Sequence, residues 1–164
     1  GDTSVHEYPT SEQMAEIAIS AARVVRLFGF EPKVAFVSHS TFGQPLTSRT
    51  KHIRTAVDIL KEKKVDFEFD GDMQPDVALN PEYEDLYPFS NIVGKANILI
   101  MPGQHSAAIS YKMMKTLGDT KVIGPLLIGL GLPIEIAPLR SSTSEIINLA
   151  SIAAYSADVI NYNK

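Results

Sequence analysis

The sequence predicts an α/β protein of three layers, a mostly parallel sheet with helices on both faces. Two observations carry this expectation. Short, continuously apolar runs such as Val34-Ala35-Phe36-Val37 and Asn97-Ile98-Leu99-Ile100-Met101 suit strands covered on both sides. Each is followed by a loop of small polar residues and then by a stretch whose apolar positions recur at helical spacing. Strand, loop and helix recur four times along the chain, the pattern of parallel strands joined by crossover helices.

In chain order, Tyr8-Pro9 leads into Thr10, which pairs with Gln13 as a capping box. Met14, Ile17, Ala18, Ala21, Val24, Val25 and Phe28 then mark one helical face, and Gly29 closes the helix just past its cap. Pro32 and Ser38-His39-Ser40-Thr41 bound the first strand. The segment Ser38 to Ser48, SHSTFGQPLTS, lies where that strand's carboxyl end should be, the side on which open α/β sheets bind ligands. Its residues fit an ordinary polar loop equally well. A helix follows with Ile53, Val57 and Leu60 inward and the Lys61 to Lys64 cluster at its C-terminal end, where cations suit the dipole.

Phe67 to Gly71 alternates as a strand and is expected to break at Gly71-Asp72. Asp70, Asp72 and Asp76 lack the spacing and terminal Glu of a calcium loop and read as turn and capping residues. Residues 75–93 hold three prolines and three aromatic rings, which suits a short helix and then an irregular connection covering a sheet edge or a subunit contact. The strand at 97–101 closes at Pro102-Gly103, and Gln104, His105 and Ser106 load the start of the next helix. His105 reads either as a ligand-facing group or as a cap or surface residue. Ile109, Met113, Met114 and Leu117 read as the core face of that helix.

The stretch from Gly124 to Ile147 packs the most local signals together. Pro133-Ile134-Glu135-Ile136-Ala137 alternates like a fourth strand, Pro138 stops it, and Ser142 with Glu145 forms a second capping box. Arg140 beside free N–H groups at a helix start suits an anion site. Taken alone, these residues favour the plainer reading, in which Ser142 and Glu145 use the donors themselves and Arg140 is solvated. The final helix, Glu145 to Asn161, is apolar around most of its circumference, as in helices buried in a larger body or a subunit interface.

A chain of 164 residues suits one domain that needs no staples, and it contains no cysteine for a disulfide, a thiolate metal site or a cysteine nucleophile. His6, His39, His52 and His105 show no paired ligand spacing, so no metal centre is expected. A net charge of −4 argues against nucleic acid or an acidic membrane as partner. Nothing resembles a signal peptide or a membrane span, so the expected location is the cytoplasm. The chain opens on Gly1 rather than methionine, which suits a segment of something longer.

SHST after a buried strand, FDGDMQPDVALNP, NILIMPGQHSAAISYK, IGPLLIGL and PIEIAPLRSSTSEIINLASIAA occur in an order that resembles the phosphate acetyltransferase/phosphate butyryltransferase family. The resemblance is collinear over nearly the whole chain. It is strongest to the branch fused to the C-terminus of bacterial NADP-dependent malic enzymes. It implies the later half of a fold similar to isocitrate dehydrogenase, with coenzyme A bound between two subdomains and its thiol attacking the carbonyl of acetyl phosphate. Active members place a Leu-Ser-Arg-Gly stretch before the last helix, with an acid seven residues after the serine. Aligned from Pro133, the serine falls on Pro138, the arginine on Leu139 and the acid on Glu145. Sliding by one brings Arg140 onto the arginine and Leu139 onto the serine, so neither register restores the hydroxyl.

The resemblance therefore implies a degenerate acyltransferase site with no catalytic residue of its own. Ser38, Ser40, Thr41, His105, Ser106, Arg140 and Ser141 are the candidates for binding an acyl-CoA or phosphate. Acetyl-CoA is the expected ligand. No cofactor is expected in this chain, since NADP and a divalent metal belong to the attached malic enzyme domain. That domain and further copies of the chain are the expected partners. The alternatives are an active phosphate acetyltransferase whose groups have moved to Arg140, Ser141 and Glu145, and a purely structural dimerisation module.

Overall fold

The computed structural model describes residues 1–2, 4–119 and 121–162, with side chains through residue 158. Two compact units divide it, Gly1–Tyr111 and Lys112–Lys164. The first holds α1 (Ser11–Leu27), β1 (Lys33–Val37), α2 (Ser48–Lys63), β2 (Glu68–Met73), α3 (Pro75–Leu79), a 3-10 helix (Pro81–Leu86) and β3 (Ile98–Ile100). α4 (Gln104–Leu117) begins in this unit, and α5 (Thr143–Tyr162) belongs to the second.

The sheet is parallel with strand order β2-β1-β3. β1 is central and buried from Val34 to Val37, as its unbroken apolar run requires. Val34 pairs with Phe69 on one side and Ile98 on the other. One face of the sheet packs under α1 and α2, where Met14, Ala18, Ile53, Leu60, Val34 and Phe36 share a core. The other face is covered by Ala78 of α3 with Ile92 and Ala96, packed on Ala35, Val37 and Met73. Helical cover on both faces of a parallel sheet is thus realised.

The helix ends follow local chemistry. Thr10 Oγ1 accepts from the Gln13 N–H while Gln13 returns to the Thr10 N–H, and Thr47 and Thr50 repeat the device at α2. Gly29 takes a positive φ of 80° just beyond Phe28, the C-cap of α1. The connection after α3 guards the β2 edge as expected. Asp70 accepts from the Asn91 N–H at 2.7 Å, and Glu68 from the Val93 N–H at 2.9 Å.

Four expectations need correction. β2 does not break at Gly71-Asp72 but runs through it to Met73, with a register shift opposite Phe36 and Val37. Asp70 and Asp72 are accordingly not turn or capping residues; they are buried strand residues that accept hydrogen bonds from neighbouring loops. Residues 133–137 form no strand: no ladder partner pairs with them among the described residues, Ile134 and Ile136 are exposed, and alternation alone supplies no partner. Ile109, Met113, Met114 and Leu117 are each more than half exposed rather than core. Helical spacing identifies an apolar face but not what covers it. α5 repeats that lesson, with Leu149 buried but Ile146, Ile147 and Tyr155 about half exposed, while the Ile160 side chain lies outside the described residues. No helix among the described residues is long and apolar enough to cross a membrane.

Candidate functional site

Because β2 and β3 flank β1 on opposite sides, the loops leaving β1 and β3 border a crevice at the carboxyl ends of the strands, where open α/β sheets bind ligands. The first unit has a cleft of about 550 Å³ there. Ser38 and His39 reach it from the end of β1, Met101, Pro102, Gly103, His105 and Ser106 from the end of β3, and Ser48, Arg49 and His52 from the start of α2. Glu7, Tyr8 and Pro9 close the remaining wall.

Hydrogen bonds fix each wall. The Ser38 N–H donates to Met73 O at 2.9 Å, which holds the exit of β1 against the end of β2. Fully buried Asp72 accepts from the Ser40 hydroxyl and, at 3.1 Å, from the Gly43 N–H, so one carboxylate clasps the loop that carries Ser38 and His39. His52 is held from both ring nitrogens. Its Nε2 lies 2.9 Å from Pro9 O, which can only accept, so that nitrogen carries a proton. Its Nδ1 lies 2.9 Å from Ser11 Oγ. The start of α4 meets the same wall, with the Gln104 N–H donating to Glu7 O at 3.1 Å. A Cβ on Gly103 would stand 3.0 Å from that oxygen, so any larger residue there would make the 7–9 segment give way by a few tenths of an ångström.

Of the residues singled out from sequence, Ser38, His105 and Ser106 do come together on the cleft. Ser106 Oγ donates to Gly103 O at 2.8 Å while lining it. Ser40 is fully buried and serves the clasp on Asp72 rather than the cleft, and Thr41 Oγ1 accepts from the Gln74 N–H. His39, Arg49, His52 and the 7–9 segment were missed as site residues. His39 and Arg49 lie within or beside the flagged Ser38–Ser48 loop, but no local signal joins residues 7–9 to a strand end far along the chain.

In the second unit, Pro138, Leu139, Arg140, Ser141 and Glu145 cluster at the entry of α5. The Ser141 N–H donates to Pro138 O at 3.0 Å, closing a turn, and Leu139 is fully exposed. Glu145 Oε2 accepts from the Ser142 N–H at 2.8 Å and from its hydroxyl at 3.0 Å, while the Glu145 N–H donates back to Ser142 Oγ. Lys115 Nζ sits 3.0 Å from Glu145 Oε1. These bonds, the Ser142 N–H foremost and the Lys115 ammonium next, lower the Glu145 pKa to about 2. Arg140 is exposed with no hydrogen bond or ion pair among the described residues. Ser141 Oγ is buried and without a partner among them, in a small hollow shared with Pro138, Glu145 and Leu149.

Residues 1–154 match the family described as phosphate acetyl/butaryl transferase. The chain belongs to that family. Its relatives include two kinds of protein. One includes the NADP-dependent malic enzyme of Rhizobium meliloti, 49% identical over 95% of this chain and 20% of the relative. The other includes the phosphate acetyltransferase of Bacillus subtilis, 36% identical over 95% of this chain and 49% of the relative. The chain thus spans about half the length of the second and a fifth of the first. Among solved structures, a phosphotransacetylase from Streptococcus pyogenes superposes with a TM-score of 0.91 at 34% identity, over 97% of this chain and 49% of that one. The parallel sheet with helical cover is therefore the family's fold, and the chain corresponds to part of it.

Proposed function

We propose that this chain is the phosphate acetyltransferase-like domain of a cytoplasmic NADP-dependent malic enzyme, which oxidatively decarboxylates malate to pyruvate. In this reading it is retained as an acetyl-CoA-sensing and oligomerising domain that has lost its own acyl-transfer chemistry. The observation that carries the reading is the entry of α5. Where the family resemblance asks for a serine hydroxyl and an arginine, this chain has Pro138 and a fully exposed Leu139. The acid at Glu145 is committed to capping α5 and to Lys115, with a pKa too low to take up a thiol proton near neutrality. Missing oxyanion donors cost roughly 2.7–4 kcal/mol each, so turnover would fall by several orders of magnitude. Identity to the Rhizobium malic enzyme, above that to the Bacillus acetyltransferase, supports the attachment. The exposed apolar faces of α4 and α5 suit assembly with further copies.

NADP and the divalent metal would be held in the malic enzyme domain, and this chain would hold the acyl-CoA. The test is malic enzyme activity of the full-length protein with increasing acetyl-CoA, beside the same enzyme truncated before this chain. A response of the intact enzyme that the truncated one lacks is the expected result. A response shared by both, or absent from both, overturns the regulatory reading.

One observation favours a second reading, an active phosphate acetyltransferase using Arg140, Ser141 and Glu145. The buried, unpartnered Ser141 Oγ lies in the same hollow as Glu145. Coenzyme A-dependent consumption of acetyl phosphate, abolished by Ser141→Ala, would establish it.

A further inference from the structure

Charge is distributed unevenly along the chain. Between Lys64 and Lys95 lie eight carboxylates and no lysine, arginine or histidine, in a protein whose net charge is −4. Asp66 and Glu68 meet Arg26 and Lys33 in ion pairs, and Asp70 and Asp72 are buried acceptors. Asp76, Glu82, Glu84 and Asp85 are exposed and form no ion pair among the described residues. Beside them stands an aromatic cluster. The Phe42 ring lies 4.8 Å from that of Phe89 and 5.5 Å from that of Tyr87, centroid to centroid. Phe89 nevertheless stays 63% exposed and neighbouring Leu86 64%. Phe42 holds a φ of 49°, a left-handed conformation that bulky residues rarely adopt, and its N–H donates to Asp72 O at 2.6 Å. Strained positions of this kind cluster at functional sites, and exposed apolar surface rimmed by charge marks sites of interaction.

We propose that this surface, Leu86, Tyr87 and Phe89 rimmed by Glu82, Glu84 and Asp85, docks against a cationic and apolar surface of the malic enzyme portion of the full-length protein. The inference rests on the malic enzyme reading above for the identity of the partner. Two considerations choose that occupant. The chain matches 20% of its Rhizobium meliloti relative, so in that reading most of the protein lies outside this stretch and is tethered within reach of it. Unpaired carboxylates repel the same surface of a second copy, whereas a basic surface is attracted and oriented by them. Rings already packed on one another lose little freedom on docking. The loop that carries Phe42 into the cluster also carries Ser38 and His39 into the cleft, and Asp72 clasps it. One covalent segment therefore joins the cleft to the docked surface.

The experiment is carbodiimide cross-linking of the full-length protein, which couples carboxylates to the lysines that touch them, with the joined peptides identified by mass spectrometry. The expected result is links from Glu82, Glu84 or Asp85 to lysines of the malic enzyme portion. Their yield should fall severalfold in about 1 M salt, where the screening length is roughly 3 Å. Phe89→Ser leaves every carboxylate in place and should lower the yield roughly tenfold, with circular dichroism confirming that the variant is folded. Links confined to lysines of residues 1–164, whether of the same or a second copy, overturn the proposal, and so does a yield that Phe89→Ser leaves unchanged. Malic enzyme activity with acetyl-CoA is read on the same samples. Links without a response to acetyl-CoA keep the docking and remove the regulatory reading, whereas a response without links keeps the regulatory reading and removes the docking.

Discussion

Asp72 and Glu145 are carboxylates of opposite circumstance. Asp72 is fully buried at the end of β2 and spends both oxygens on one loop, through the Ser40 hydroxyl and the Gly43 N–H. Replacing it with asparagine puts an NH2 group against donors, and a buried donor left unsatisfied costs about 1–3 kcal/mol. We expect Asp72→Asn to lower stability by that amount in urea unfolding and to weaken any ligand of the Ser38–His39 wall. Glu145 is only partly buried and works through its hydrogen bonds. With a folded pKa of about 2 against an ordinary value of 4.5, its carboxylate favours the folded entry of α5 fully above pH 4.5. That contribution fades as pH falls through about 2, since the depressed group must then be protonated. Carbon-detected NMR titration should place its midpoint near 2, and Ser142→Ala should move it back toward the ordinary range.

The strand β2 and the helix α1 show how one position supports a whole element. A Cβ on Gly71 would lie 2.7 Å from both Cβ and O of Phe36 on the neighbouring strand. Gly71→Ala therefore has to push β1 and β2 apart at a fully buried core residue, and overpacking of this kind typically costs 1–3 kcal/mol. Chemical denaturation should show a loss of at least about 1 kcal/mol. Thr10→Ala removes only the α1 cap and should cost about 1 kcal/mol. These two elements also divide what could be read in advance. Of the expected α1 face Met14 and Ala18 are buried, whereas Phe28 is 46% exposed and Ala15 and Ala22 are buried instead. The α1 cap follows from residues a turn apart and was legible in the sequence. The continuation of β2 past Gly71 was not, because a Gly-Asp step reads as a turn until a neighbouring strand is present to pair with it.

The two units differ in how their backbone is satisfied. In the first, β1 lies between two partners and is buried from Val34 to Val37. In the second, residues 121–141 carry no helix or strand, and the Ser141 N–H bond to Pro138 and the Leu127 N–H bond to Glu135 are isolated ones. Amide hydrogen exchange should accordingly find Val34–Val37 protected near the global unfolding limit and most amides of 121–141 exchanging orders of magnitude faster. Equal protection across both segments would contradict this division. Ligand effects on exchange should concentrate in residues 7–9, 38–39, 48–52 and 101–106, the segments that wall the cleft.

Sequence alone determined what depends on neighbours along the chain or on a single side chain's nature. That covers the α/β class, the central buried strand, the Thr10–Gln13 and Ser142–Glu145 capping boxes and the polar loops at strand ends. Folding in three dimensions settled what depends on partners distant in sequence. It brought Glu7–Pro9 against Gly103, turned Asp70 and Asp72 into buried acceptors, and gathered Arg49 with three histidines around one cleft. It also left Pro133–Ala137 without a ladder and the methionine face of α4 exposed. Hydrogen-bonding periodicity and caps are local properties, whereas pairing and burial belong to two surfaces at once, and one stretch of sequence specifies only one of them.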